Sequence, residues 1–177
     1  MLRWLIKNKF WRDVRGVSVV EFALILPVML VMIFGTVEIS NLMIADRKLV
    51  SATSTTADLF AQTKSVTDDE IADIFRAGSA IMQPLELSSL SFVVSSVVAD
   101  AGGVTRVDWS EGYGAAGMAA GSIYELPPGL IAANQSVIVV QSQYNYVSQL
   151  GQMIVAPIGL TDRFFLAPRR SVKVTHL

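Results

Sequence analysis

The chain has 177 residues, enough for one ordinary domain plus an anchor or tail, and its lack of cysteine excludes disulfides, thiol catalysis and thiolate metal sites. Its formal charge of −1 divides unevenly: residues 1–16 hold five basic groups and one acidic group, which leaves nine basic and fourteen acidic, or −5, for the rest. That balance carries no cationic footprint for nucleic acid. The hydrophobic fraction, 52%, lies just above the usual range of about 45–50%, so one segment is expected to hold the excess.

That segment is close to the N-terminus. From Val17 to Val37 the only charge is Glu21, and 21 residues at about 1.5 Å each cover about 31 Å, close to the hydrocarbon thickness of a bilayer. The pattern predicts a basic leader at 1–16, a transmembrane helix at 17–38 and an extracytoplasmic domain at 39–177. Arg3, Lys7, Lys9, Arg12 and Arg15 precede the span against a single Asp13, while the far flank opens with Asp46-Arg47-Lys48. The positive-inside rule therefore places the N-terminus in the cytoplasm. A cleaved secretory signal is a second reading, but the run exceeds an h-region of about 7–15 residues, and the nearest small-residue exit, Val50-Ser51-Ala52, lies well beyond Val37. Glu21 is unfavourable in lipid, by about 2.5–3.5 kcal/mol at mid-bilayer and less near the interface, so a use for it is expected. Pro27 removes a backbone donor and predicts a kink, which a membrane helix tolerates.

Gly16 followed by Glu21 and Phe22 resembles the processing motif of type IV prepilins, in which a prepilin peptidase cuts after the glycine and the mature chain carries glutamate at its fifth position. The longer stretch, Val20-Glu21-Phe22-Ala23-Leu24, then Pro27, then Phe34-Gly35-Thr36-Val37-Glu38, is similar to the TadE-like family of the tight-adherence (Flp) pilus system, whose members are pseudopilins or minor pilins. The resemblance implies a bacterial inner-membrane protein with a single pass and a periplasmic C-terminal domain, cut between Gly16 and Val17 and able to enter the pilus. It implies assembly and register roles for Glu21, Pro27 and Glu38. The implied partners are the inner membrane, the prepilin peptidase, other pilins or pseudopilins and Tad assembly proteins. No catalysis, metal or small-molecule cofactor is implied. Major pilins of the system are very short, whereas about 115 residues follow the membrane-proximal helix here, which favours a minor, initiating or tip role. Two alternatives stay open: an uncleaved single-pass assembly component, and an anchored enzyme or ligand-binding domain with an incidental motif.

Beyond the span the helical pattern continues. Leu49, Ala52, Thr56, Leu59 and Phe60 recur at helical spacing, which extends one helix to about Gln62. A second helix begins at a capping box, with Thr67 as N-cap and Glu70 at N3, and places Ile71, Ile74, Phe75, Gly78 and Met82 on one face before Pro84 ends it. Asp68-Asp69-Glu70 has the composition of a cation site, but capping and the helix dipole account for it.

From Leu87 the period changes to two. Segments 90–98, 104–110 and 136–147 read as strands; Thr105, Val107 and Trp109 alternate with Arg106, Asp108 and Ser110, and Asp100-Ala101-Gly102-Gly103 makes a hairpin connection. In the third segment Ile138, Val140, Tyr144 and Tyr146 face one way and Gln141, Gln143 and Asn145 the other. An end strand is expected at 163–166 or 172–175. The fold class is α+β and pilin-like: a long N-terminal transmembrane helix continuing into a soluble domain with a second helix and a small antiparallel sheet.

Glu111 to Gln135 is glycine- and alanine-rich and contains Gly112-Tyr113-Gly114-Ala115-Ala116-Gly117, a literal G-x-G-x-x-G. Dinucleotide binding needs that pattern to open a helix in a βαβ unit, and Pro127-Pro128-Gly129 follows too soon for one. A long surface loop is expected, with neighbouring subunits as its contacts. The single histidine, His176, is expected in a frayed tail, and no G-x-S-x-G is present to build a triad. Asn134-Gln135-Ser136 matches a glycosylation sequon only by a short pattern, and Arg169-Arg170 is expected to be solvated.

Overall fold

A computed structural model describes residues 16–148 and 156–177. Arg3, Lys7, Lys9, Arg12 and Arg15, on which the orientation argument rests, lie outside the described residues. The chain divides into two compact units, Met1–Asn41 and Leu42–Leu177. One helix, α1 (Val17–Gln62), contributes to both.

In the first unit the described helix is apolar and uncovered. Leu24 and Val31 are each 72% exposed, and Val19, Phe22, Met32 and Phe34 are exposed as well. This helix is long and apolar enough to cross a membrane. Such a surface needs lipid or other helices around it.

In the second unit α1 changes character. Ala45, Leu49, Ala52, Thr53, Thr56, Ala57, Phe60 and Ala61 are buried at helical spacing, as the periodicity predicts. After a two-residue strand, β1 (Ser65–Val66), comes α2 (Asp68–Ile81). Its capping box is present: the Thr67 hydroxyl accepts from the Glu70 N–H at 3.4 Å, and the Glu70 carboxylate accepts from the Thr67 N–H at 2.9 Å. Ile71, Phe75 and Gly78 form its buried face. Its C-terminal end receives Lys48 of α1, whose Nζ donates to the carbonyls of Ile81 (3.2 Å) and Gln83 (2.7 Å), a cation placed where helix carbonyls lack partners.

The sheet is antiparallel in the order β3-β2-β4-β5, with β2 (Ser91–Ala99), β3 (Thr105–Tyr113), β4 (Ser136–Tyr146) and β5 (Ile158–Leu166). The Asp100 carboxylate closes the expected hairpin by accepting from the Val104 N–H at 2.9 Å, with Gly103 at φ +81°. A register shift between Ser96 and Val97 lets Trp109 pair with Ser96 and Val107 with Val97.

Two strands are longer than the alternation predicts. β3 runs on through Glu111–Tyr113 because Tyr113 pairs with Phe92 and its ring packs on Phe75 at 6.0 Å, so these residues are sheet and not loop. β5 starts at Ile158, five residues before the expected 163, because pairing with Tyr146 through Ile138 holds all nine residues despite Gly159 and Asp162. A last strand, β6 (Thr175–His176), lies parallel to β1.

Both faces of the sheet are covered, by different means. One packs Phe92, Val94, Ile138, Val140 and Tyr144 against Leu49, Phe60 and Phe75 of the two helices. The other gathers Val97, Val107, Val137 and Val139 under Tyr124, Leu126 and Ile131. Residues 114–135 are therefore not merely a surface loop: Tyr124, only 5% exposed, is the lid of a second core. Its hydroxyl accepts from Gln141 Nε2 at 2.6 Å, and the Arg163 guanidinium sits 6.0 Å from its ring.

Candidate assembly segment and its anchorage

The candidate site begins where α1 begins. Gly16 is exposed just ahead of Val17, and a Cβ added there would meet nothing within 4 Å. The same is true of Gly35, inside the helix, where glycine is less favourable than alanine by about 1 kcal/mol. Neither glycine is required by packing against the described residues.

Glu21 and Phe22 lie exposed in the first turns, and Pro27 lies inside the helix, which continues through it. Having no N–H, Pro27 leaves the Ala23 carbonyl without its helical donor. Glu38 is half-buried, and one of its carboxylate oxygens is buried with no hydrogen-bond partner among the described residues. The small polar residues beside it are satisfied internally: Thr36 Oγ1 donates to the Met32 carbonyl (2.8 Å) and Ser40 Oγ to that of Thr36 (2.9 Å). Back-bonding of this kind lets hydroxyls sit in an apolar environment. Glu21 and Glu38 are 17 positions apart in one helix, about 25 Å at 1.5 Å per residue, so they are separate points and not a paired site.

Three anchoring contacts within the second unit were not apparent from the sequence. Lys48 caps α2. Asp58 of α1 pairs with Arg169 at 2.6 Å, while the Arg169 N–H donates to the Ala61 carbonyl at 2.8 Å; Arg169 and Arg170 are exposed, as expected, with Arg169 held at its backbone and by this ion pair. Gly78 of α2 faces Thr56 of α1. Only the last carried a sequence signal, a glycine on the apolar face of an otherwise good helix.

His176 corrects the expectation of a frayed tail. Its Nε2 lies 2.8 Å from Asp68 Oδ1 and its ring 5.6 Å from that of Trp109, whose Nε1 donates to the Val174 carbonyl at 2.8 Å. Asp68 thus serves both the N-terminal turn of α2 and the chain end.

The G-x-G-x-x-G opens no helix. Gly112 ends in β3, Gly114 has φ +67°, and a Cβ on Gly117 would lie 2.4 Å from the Ser110 carbonyl oxygen. These glycines let the segment fold back against its own strand. Among the described residues no group of three or more His, Asp or Glu could hold a metal ion. Burial, with the charge of Glu86 adding to it, pushes the Tyr144 phenol above its ordinary range.

No curated protein and no solved structure matches the chain. Together with the apolar helix, the family comparison supports a membrane protein associated with the Tad pilus system. Residues 16–58, from the exposed glycine to the aspartate that holds Arg169, match the model of the family described as TadE-like protein, the family that the Gly16 to Glu38 pattern resembles.

Proposed function

We propose that the chain is a non-enzymatic, single-pass pseudopilin or minor pilin of a Tad-type (Flp) pilus, with its N-terminus in the cytoplasm and its domain beyond the inner membrane, cut by a prepilin peptidase between Gly16 and Val17. Gly16 carries the reading. It opens the family-matched segment, is exposed, and meets nothing among the described residues that would demand glycine, as fits a position read by another protein. A peptidase pocket that admits no side chain supplies it.

Cleavage creates an α-amino cation on Val17. In dry packing between helices an unpaired carboxylate is strongly unfavourable, so Glu21 of one subunit pairs with the Val17 amine of its neighbour and sets the axial register. The size of the Leu42–Leu177 unit supports a priming, minor or tip position over a repeating one. The partners in this reading are the peptidase, other pilins or pseudopilins and Tad assembly proteins.

The test is the intact mass of the protein from its native membrane. A chain starting at Val17 is expected, and Gly16→Leu should retain residues 1–16 while still inserting. A wild-type mass that includes those residues assigns the chain instead to the uncleaved assembly components.

A further inference from the structure

The sheet has two outer edges and treats them differently. Alongside β3, residues 121–124 close the edge: the Val107 N–H donates to the Ser122 carbonyl (2.9 Å), the Gly121 N–H to that of Val107 (2.7 Å) and the Tyr124 N–H to that of Thr105 (3.1 Å). Arg106 and Ile123 form a bridge there. On the other side, all nine residues of β5 pair with β4, and among the described residues nothing bonds to the opposite edge. A free edge of that length presents a row of backbone donors and acceptors that an extended segment can extend by one strand.

Side-chain alternation decides which strand fits. Ile158, Leu160, Asp162, Phe164 and Leu166 lie on the helix-facing side, opposite Tyr146, Tyr144, Ser142, Val140 and Ile138. Asp162 interrupts this apolar row, and its Oδ2 is buried with no hydrogen-bond partner among the described residues. Its cross-strand neighbour Ser142 is engaged elsewhere, with Thr53 of α1 at 2.5 Å. A second copy docking β5 antiparallel on β5 brings the same five side chains to that face in every register, and none of them is a donor. In the register centred on Asp162 two carboxylates meet. The unmet charge therefore guards the edge against antiparallel self-pairing and fits a strand of different sequence that places a cation there.

We propose that the free edge of β5 receives an extended segment of a different protein, with a Lys or Arg at the position beside Asp162. Backbone pairing supplies the seat, and the Asp162 carboxylate selects the occupant. This goes beyond the pilin reading and does not depend on cleavage at Gly16.

The test uses the full chain in its native membrane, with a benzophenone amino acid in place of Thr161, an exposed β5 residue next to Asp162. Ultraviolet light is expected to join it to another protein, at a peptide that mass spectrometry maps to a stretch free of proline and containing Lys or Arg. Adding Asp162→Asn should lower that yield about ten-fold. The same substitution in the detergent-purified chain should leave the thermal midpoint unchanged or raise it, because it removes a charge with no internal partner. Adducts only between copies of this chain, no adduct, a yield indifferent to Asp162→Asn, or a lowered midpoint would each overturn the proposal.

Discussion

Gly78 of α2 faces Thr56 of α1 with no room between them: a Cβ built on Gly78 would lie 2.1 Å from Thr56 Oγ1 and 3.5 Å from its Cβ. The hydroxyl is buried and has no hydrogen-bond partner among the described residues, so the contact is one of shape. With no side chain at Gly78, the Thr56 hydroxyl keeps its place against α2.

Gly78→Ala should therefore destabilise the domain although alanine favours helix. Overpacking costs about 1–3 kcal/mol, against which helix propensity returns about 1 kcal/mol. Gly78→Val should be worse, and Thr56→Ala should rescue Gly78→Ala by removing the obstructing hydroxyl. Thermal denaturation of the full chain in detergent checks the cycle; additive effects of the two alanines would show that the helices do not meet at this pair.

The chain end is a structural part and not an appendage. Val174 is fully buried, and its carbonyl accepts from Trp109 at the edge of the Phe60 and Phe75 aromatic cluster. Trp109→Phe keeps an aromatic ring but leaves that carbonyl unpaired, which costs about 1–3 kcal/mol. Deleting residues 172–177 should cost more, since it also removes Val174 from the core and β6 from β1. Amide exchange should become faster in Val66 and Trp109 in both variants.

Glu21→Ala separates register from a carboxylate that merely reaches the headgroups. Insertion of the isolated helix should be equal or better once the charge is gone. Assembly should suffer, because the neighbouring Val17 amine loses its partner and breaking a buried pair costs about 3–5 kcal/mol. Normal cleavage and abundance with fewer pili is the expected result; wild-type piliation would leave Glu21 without an assembly role.

Orientation is open to a direct measurement. With Arg3, Lys7, Lys9, Arg12 and Arg15 held in the cytoplasm, a reporter that works only outside it should be active when fused after Leu177. Activity of a cytoplasm-only reporter at that point would reverse the topology.

What can be read from the sequence is what local chemistry controls. The apolar run of α1, the continuation to Gln62, the Thr67 and Glu70 capping box, the hairpin at Asp100 and the alternation of Thr105 to Trp109 depend on residues within a turn or a strand of one another. Backbone periodicity and capping geometry are local, so they leave local patterns. The family pattern is of the same kind, a linear string in a single helix.

What only the tertiary structure decided lies between residues far apart in the chain. Nothing near Lys48 announces that its ammonium caps a helix ending more than thirty residues later, and nothing near His176 points to Asp68, 108 positions away. The glycine-rich stretch looks like solvent-facing loop until Tyr124 is placed over Val107 and Val139, because burial belongs to a sheet face that three other segments create. Asp162 likewise interrupts a strand pattern for no local reason. Its position on an edge strand, β5, follows from strand order, which hydrophobic alternation does not encode, since alternation assigns side chains to faces and not strands to neighbours.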